Sequence, residues 1–443
     1  MTGSALPLAG TRRRGGDRAI LALGALVSVP VGCALALVLY LLPLPPVAIA
    51  GGVALVAILA LALARYHVAV ALGLVLLAVQ AVDPAPSDGV FAVVLAVAFA
   101  TGRFRLRAAP RPIVVILTIF GALNVMAAVQ VADVGRAAMF FSITLFLALF
   151  GLWLPGYVVT ARRARLVLRG YLAAAVFASC LGVLALFHLI PGYDLLTESD
   201  RARALFQDPN VFGPFLIPPA LILVEEIMRP RVLSARLPTK ALLLGILLAG
   251  VLFSYSRGAW LNLVLGGIVL GVVLSLRGGL RTTLALLAIA LSIGAVGVGV
   301  VVATGSADFI AVRARPQTYD NQRFSGQRAG LAPAGEYPFG AGPGQFESIA
   351  GISAHSTYAR AIGEEGILGV ITMLAFLGTT LLIAARNAVA GRDTYGIGSA
   401  ALLGAWCGLL ANSAFVDTLH WRQLWILAGL IWAGAMRSSA GRR

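Results

Sequence analysis

The residues best suited to chemistry are a histidine and a group of arginines in the polar segments of an otherwise apolar chain. His355 ends the mostly polar segment 305–355, and ten residues separate it from Gly366. An imidazole titrates near neutral pH and can take a proton from a hydroxyl group. A guanidinium presents a rigid fork of donors that matches phosphate oxygens. These residue types suit a reaction in which a hydroxyl attacks and a phosphate-bearing group leaves.

The rest of the chain must position these residues within a membrane. Hydrophobic residues make up 60% of the sequence and charged residues 12%, with a mean hydropathy of +0.93, which excludes an ordinary water-soluble globule. A run of roughly 20 apolar residues crosses a bilayer as a helix. The apolar segments lie at 19–42, 45–64, 67–82, 89–102, 112–130, 137–160, 170–190, 211–227, 241–254, 258–276, 282–304, 356–385, 396–414 and 420–436. The sequence predicts an all-α polytopic membrane protein with 12–14 transmembrane helices, since 67–82 and 89–102 are short enough to form a re-entrant pair.

Charge predicts the orientation of these helices. The formal net charge is +16, and most of the 34 basic residues fall on one set of connecting segments, which the positive-inside rule places in the cytoplasm. The predicted regions are a cytoplasmic N-terminus (1–18), helices with an outer loop at 191–210 (19–304), a large outer loop (305–355), C-terminal helices (356–436) and a cytoplasmic tail (437–443). No basic patch carries the interleaved aromatics of a nucleic-acid site, and Cys33, Cys180 and Cys407 lie in apolar runs without metal-ligand spacing.

Several arginines occupy the predicted outer segments, against this general trend. Arg201 and Arg203 lie in the loop 191–210, and Arg257 follows the short outer turn 253–256. The large loop contains Arg313, Arg315, Arg323 and Arg328. A set of guanidinium groups on one face predicts a receptor for a phosphate or diphosphate headgroup. The alternative for any single arginine is contact with lipid headgroups or a nearby aspartate.

Four short segments on this face carry a family resemblance. They are RALFQDPN at 203–210, SYSRG at 254–258, HSTY at 355–358 and EGILG at 365–369. In their order, spacing and shared location they resemble the O-antigen ligase family, which also contains oligosaccharide polymerases and O-linked oligosaccharyltransferases. The resemblance covers residues 200–385, and in general layout the whole chain. His355 and Gly366 are similar to the His and Gly that are ten residues apart in the ligases, and Arg328 and Gly344 to the Arg and Gly that are fifteen residues apart in the polymerases.

The resemblance implies a glycosyltransferase of the GT-C type that uses a glycan on a polyprenyl diphosphate and needs no metal or other cofactor. We expect His355 to act as the base, and Arg257, Arg328 and Arg323 to stabilise the leaving diphosphate. The remaining candidates for substrate binding are Arg201, Arg203, Asp208, Asn210, Tyr358, Glu365 and Gly366.

Structural alternatives remain open for several of these residues. His355 could cap the helix that follows it, and Asp208 could cap the helix near Pro209 rather than serve as a reserve base. Arg360 and Glu364 are four residues apart and could form an ion pair. Gly363, Gly366 and Gly369 predict close approach of a neighbouring helix, and the glycine-rich segment 338–344 predicts a sharp turn.

The predicted function is transfer of a glycan from its polyprenyl diphosphate carrier, on the outer face of the cytoplasmic membrane, to a glycan, lipid, wall polymer or protein. A polymerase that joins repeat units is the alternative within this class. A multispan transporter or a flippase for lipid-linked oligosaccharides is the alternative from another class, and it is disfavoured because few charges fall at mid-bilayer.

Overall fold

The protein is described from a computed structural model, which covers residues 46–131, 133–315, 318–329, 337 and 339–440. The basic N-terminus 1–18, the predicted first span at 19–42 with Cys33, and residues 441–443 lie outside the described part. So does the side chain of Arg323. The described ranges are predominantly helical, and no strand occurs in them.

Helices account for every predicted apolar segment from 45–64 onward. In chain order they are α1 (Pro46–Ala64), α2 (Tyr66–Val75), α3 (Pro86–Ala100), α4 (Arg111–Ala127), α5 (Val134–Tyr157), α6 (Ala161–Leu186), α7 (Pro209–Phe215), α8 (Ile217–Met228), α9 (Leu237–Phe253), α10 (Arg257–Ala303), α11 (Ala307–Ala314), α12 (Thr318–Ala329), α13 (Phe346–Ala350), α14 (Thr357–Val389), α15 (Ser399–Asn412) and α16 (Arg422–Ala440). The all-α prediction is confirmed.

Among the described residues, five helical segments are long and apolar enough to cross a membrane. They are α5, α6, the continuous pair α7 and α8, α10 and α14. Six further apolar helices have 10–17 residues, among them α2 and α3, which correspond to the two short predicted segments. The chain is therefore an all-α membrane protein, whereas the total of 12–14 crossings stays a prediction.

Two long helices contain a glycine with non-helical geometry. Gly279 in α10 has φ 66° and ψ −164°, and it separates the two predicted spans that the helix joins. Gly366 in α14 has φ 68° and ψ −170°. Glycine enters this positive-φ region without the steric penalty that a Cβ brings. Both positions are consequently points where the backbone leaves the helical path.

Helix α15 forms the centre of the packing that positions the polar residues. It contacts α8, α10, α14 and α16. Against α10 the two backbones touch, since a Cβ on Gly404 would lie 2.4 Å from the carbonyl oxygen of Gly266. Close approach through small residues is typical of helices packed within membranes, where burial of apolar surface gives no drive to associate. The ends of α10, α14 and α15 are thereby held together.

Candidate functional site

The turn 254–257, between α9 and α10, joins two of the arginine-bearing segments. The backbone amide of Ala202 donates to the carbonyl of Phe253 at 3.0 Å, and Nε of Arg201 donates to the carbonyl of Ser254, also at 3.0 Å. Arg201 is 8% exposed, and its Nη2 donates to Oδ1 of Asn210 at 3.0 Å. The loop 191–210 is therefore fixed against the start of α10.

The third arginine-bearing segment reaches the same turn through α11. Nη2 of Arg313 lies 3.5 Å from the carbonyl oxygen of Tyr255, whose ring packs edge-on against Phe309 with 4.5 Å between centroids. Nη1 of Arg257 donates to the carbonyl of Arg315 at 3.3 Å. We call Arg201, Arg257, Arg313 and Arg315, gathered around the turn 254–257, the arginine cluster.

His355 lies immediately before α14, with a positive φ of 45°. The next residue, Ser356, is the N-cap of α14, and its hydroxyl accepts from the amide of Ala359 at 3.3 Å. The alternative in which His355 caps this helix is therefore wrong. The carbonyl of His355 accepts from Nε2 of Gln327 at 3.4 Å, which places α12 beside it, and Arg328 is the exposed neighbour of Gln327.

The C-terminal end of α15 brings the arginine cluster and His355 to one end of the helices. A Cβ on Gly258 would lie 2.4 Å from Oδ1 of Asn412, so the start of α10 touches this end. The start of α14 touches it too, through a hydrogen bond of 3.0 Å from the amide of Thr357 to the carbonyl of Ser413. The hydroxyl of Tyr358 donates to the carbonyl of Leu410 at 2.9 Å. Tyr358 is thus part of the junction between the two helix starts.

Other predicted site residues have local structural contacts. Arg203 donates from Nη1 to the carbonyl of Gln207 at 3.3 Å and from Nη2 to that of Leu195 at 3.1 Å, which closes its own loop. Asp208 is the N-cap of α7, and its Oδ1 accepts from the amide of Asn210 at 2.6 Å. The capping alternative for Asp208 is therefore confirmed.

The break at Gly366 provides a docking place for the glycine-rich loop. In an unbroken helix each carbonyl accepts from the amide four residues later, and the break interrupts this pattern. The carbonyl of Gly363 accepts instead from the amide of Ala341 at 2.9 Å, and that of Glu364 from Gly342 at 2.8 Å. The predicted sharp turn is confirmed, with positive φ at Gly340, Gly342 and Gly344. At Gly363 this loop, and not the expected neighbouring helix, lies against α14. The approach of a helix to Gly366 and Gly369 stays a prediction.

An ion-pair network surrounds Arg360 near the start of α14, and we call it the Arg360 network. Arg360 contacts three carboxylates: Oε1 of Glu364 lies 2.8 Å from Nη1, Oδ2 of Asp417 lies 2.9 Å from Nε, and Glu347 pairs with Nη2. Arg136 on α5 also pairs with Glu347, at 2.9 Å. Local spacing predicted the pair with Glu364. The contacts with Glu347 and Asp417 carried no sequence signal, because these residues come from separate segments.

A small polar cavity adjoins the Arg360 network between α4, α5 and α14. It has room for about one water molecule, which is too little for a glycan. Glu365 lines it and is 6% exposed, and its Oε2 has no hydrogen-bond partner in the described part of the chain. Nε2 of His420 lies 2.9 Å from the hydroxyl oxygen of Thr144, and burial lowers the pKa of His420. Glu365 therefore lies in this cavity, among the Arg360 network rather than the arginine cluster.

The fold and these contacts define the class of protein: an all-α membrane protein with a cluster of arginines and a histidine at one end of its helices. Within the described ranges, no group of three or more His, Cys, Asp and Glu side chains has an arrangement that could hold a metal ion. Comparison with models of known families and with curated proteins finds no match.

Proposed function

We propose that this protein is a membrane glycosyltransferase that moves a glycan from a polyprenyl diphosphate carrier to an acceptor on the outer face of the cytoplasmic membrane. The observation that carries the proposal is the arginine cluster. Three segments far apart in sequence each bring arginine to the turn 254–257. A cluster of this kind suits a diphosphate group at the membrane boundary.

The contacts of the cluster suit stabilisation of a leaving diphosphate. Arg201, Arg257 and Arg313 each donate to a backbone carbonyl, which fixes the orientation of the guanidinium at the turn. A guanidinium has five N–H donors in a rigid fork, a geometry that suits phosphate oxygens. Donors fixed before the reaction stabilise developing charge without reorganising, and removal of one such donor costs about 10²–10³ in rate.

His355 is the proposed base. The hydroxyl oxygen of the acceptor attacks the anomeric carbon of the donor sugar, and its proton passes to the imidazole of His355. The bond between the anomeric carbon and the phosphate oxygen breaks, and the arginine cluster, with Arg328, takes up the negative charge of the polyprenyl diphosphate. The positions of His355 and Arg257 against the same end of α15 support this division of roles.

The test uses purified protein in lipid nanodiscs with a glycan on polyprenyl diphosphate and a candidate acceptor. We expect His355→Ala to reduce transfer by about 10²–10⁴-fold, the contribution typical of a general base. We expect Arg257→Gln to reduce it by about 10²–10³-fold. The matched control is His188→Ala, which replaces an exposed histidine that stacks on Tyr193 at the end of α6.

Product analysis separates the two reactions in this class. A ligase gives a modified acceptor, whereas a polymerase gives a ladder of lengths on the carrier. A folded His355→Ala protein with full transfer activity contradicts the proposed base. Absence of transfer in the wild type, with glycan flipping in vesicles that persists after His355, Arg257 and Arg328 are all replaced, contradicts the proposed enzyme.

A further inference from the structure

A second, larger cavity lies at the opposite end of α5 from the Arg360 network. Phe140 and Thr144, in the first half of α5, line the small polar cavity, whereas Trp153 and Tyr157, in its last turns, line the larger one. Helix α5 has 24 residues and is therefore about 36 Å long at about 1.5 Å per residue. This length exceeds the hydrocarbon thickness of a bilayer, roughly 30 Å. The two cavities are consequently at opposite ends of a membrane-length helix.

Five arginines line this second cavity, and its lining contains no acidic residue. The arginines are Arg65, Arg103, Arg105, Arg162 and Arg163. They come from the start of α2, the segment after α3 and the start of α6. The cavity contains about 1460 Å³ of empty space, part of it open to solvent. We call it the basic cavity.

Hydrogen bonds fix an aromatic wall beneath these charges. Nε1 of Trp153 donates to the hydroxyl of Tyr66 at 3.0 Å, and Nδ1 of His67 lies 3.0 Å from the hydroxyl oxygen of Tyr157. Arg103 lies over the ring of Tyr66, 4.9 Å from its centroid, and Arg163 lies 5.5 Å from the centroid of Tyr157. Cation–π contacts orient a guanidinium while leaving its charge unneutralised.

The charge of the basic cavity has no counterpart in the described part of the chain. None of its five arginines forms an ion pair with a carboxylate of the described residues, and Arg65, Arg105 and Arg162 are exposed. Like charges around one cavity repel each other and are stabilised when an anion enters. Planar forks of donors suit the oxygens of a phosphate group.

We propose that the basic cavity binds the phosphate group of an anionic ligand. Leu63, Val68 and Val159 also line the cavity, and they are 59%, 47% and 37% exposed, so its rim is apolar. An apolar rim beside a basic pocket at the end of membrane helices fits the headgroup of an anionic phospholipid, whose acyl chains would lie against these side chains. A free phosphate ion offers the same oxygens to the arginines as the headgroup does, but it has no acyl chains to contact the apolar rim.

The test measures thermal stabilisation of the purified full-length protein in detergent. The probes are phosphatidylglycerol in mixed micelles, inorganic phosphate, and zwitterionic phosphatidylcholine as the control for acyl chains. A ligand that binds the folded state raises the melting temperature in a saturable way, which gives an apparent Kd. The variant Arg105→Gln/Arg162→Gln removes two cavity charges whose side chains form no hydrogen bond or ion pair within the described part of the chain. Its matched control is Arg107→Gln/Arg111→Gln, which removes two exposed arginines that do not line the cavity.

We expect the cavity variant to weaken binding of phosphatidylglycerol tenfold or more and the control variant to leave it within about twofold, because only the former loses charge-assisted hydrogen bonds to phosphate. Saturation by phosphatidylglycerol alone assigns a lipid headgroup, and saturation by inorganic phosphate with similar affinity assigns the phosphate group without the lipid. Saturation by neither probe overturns the proposal. Equal weakening by both variants also overturns it, since binding would then reflect general attraction to a basic surface.

Discussion

Replacement of Gly340 by alanine tests how the glycine-rich loop holds the start of α14. Gly340 has φ 87°, and a Cβ there would lie 2.3 Å from the carbonyl oxygen and 2.5 Å from the amide nitrogen of the peptide that joins Glu364 to Glu365. These are backbone atoms of α14 and cannot rotate away as a side chain would. We expect the Gly340→Ala loop to separate from α14.

The free energy that holds the loop against α14 can be worked out from the hydrogen bonds between them. Two join backbone groups, from Ala341 and Gly342 to α14, and two run from the amides of Gly344 and Phe346 to the carboxylate of Glu364, at 2.9 Å and 3.2 Å. Neutral hydrogen bonds contribute about 0.5–1.5 kcal/mol each, and those to charged groups about 1.5–3 kcal/mol. Together they favour the docked loop by about 4–9 kcal/mol. Their loss corresponds to a rise in local opening of about 10³-fold or more.

Hydrogen–deuterium exchange of the purified protein measures this opening directly. We expect the amides of 341–346 to be protected in the wild type and to lose protection by about 10³-fold in Gly340→Ala. The control is Gly351→Ala, where φ is 65° and a Cβ would meet nothing within 4 Å. It carries only the backbone cost of a positive φ, about 1–2 kcal/mol. Unchanged protection of 341–346 in Gly340→Ala would refute the reasoning, and so would equal loss in both variants.

Three further perturbations concern stability in detergent, measured by thermal or denaturant unfolding. We expect Arg360→Met to lower the free energy of unfolding by about 3–5 kcal/mol, because it leaves the buried carboxylate of Glu364 without its ion-pair partner. Arg136→Met replaces a side chain that is 34% exposed and is expected to cost below about 1 kcal/mol. Equal effects of the two variants would contradict this reasoning. We expect Gly404→Ala to force α10 and α15 apart and to lower the free energy of unfolding by about 1–3 kcal/mol or more. The control Gly271→Ala has open space around its Cβ and is expected to be neutral. A neutral Gly404→Ala would contradict the close packing of the two helices. Burial lowers the pKa of His420 below 6.5, so at acidic pH the unfolded state binds a proton at this histidine more readily than the folded state does. We therefore expect the stability of the wild type to decline below pH 6.5 more steeply than that of His420→Gln. Parallel pH profiles of the two proteins would contradict this.

Hydropathy predicted the helices because each crossing must satisfy its own backbone hydrogen bonds and remain apolar over most of its length. It also placed a boundary between the spans 258–276 and 282–304, where Gly279 breaks α10. It could not predict the break at Gly366, since a glycine in an apolar run is equally compatible with a continuous helix. The cap at Asp208 followed from a local pattern, an acidic residue before Pro209. For α14 the sequence suggested His355 only as an alternative cap, whereas Ser356 occupies this position, and serine is the stronger capping residue.

The sequence also predicted part of the candidate site. Arginines against the positive-inside trend identified the segments that meet at the turn 254–257. The Arg360 network was recognised only in its local pair with Glu364, because Glu347 and Asp417 reach Arg360 through tertiary packing. The sequence did not predict the basic cavity, because its arginines fit the ordinary excess of positive charge on the cytoplasmic side of a membrane protein.

The contact between Gly266 and Gly404 fixes more than the distance between two helices. Sliding α10 along α15 by one turn, about 5.4 Å, would bring side chains to positions where only a hydrogen atom fits. The amide of Thr357, at the start of α14, donates to the carbonyl of Ser413 at the end of α15. Together with that bond, the longitudinal register of α10 and α15 therefore sets the spacing between Arg257 and His355. The parts of loops 191–210 and 305–355 that do not contribute to the arginine cluster can change in length during evolution while this spacing is preserved.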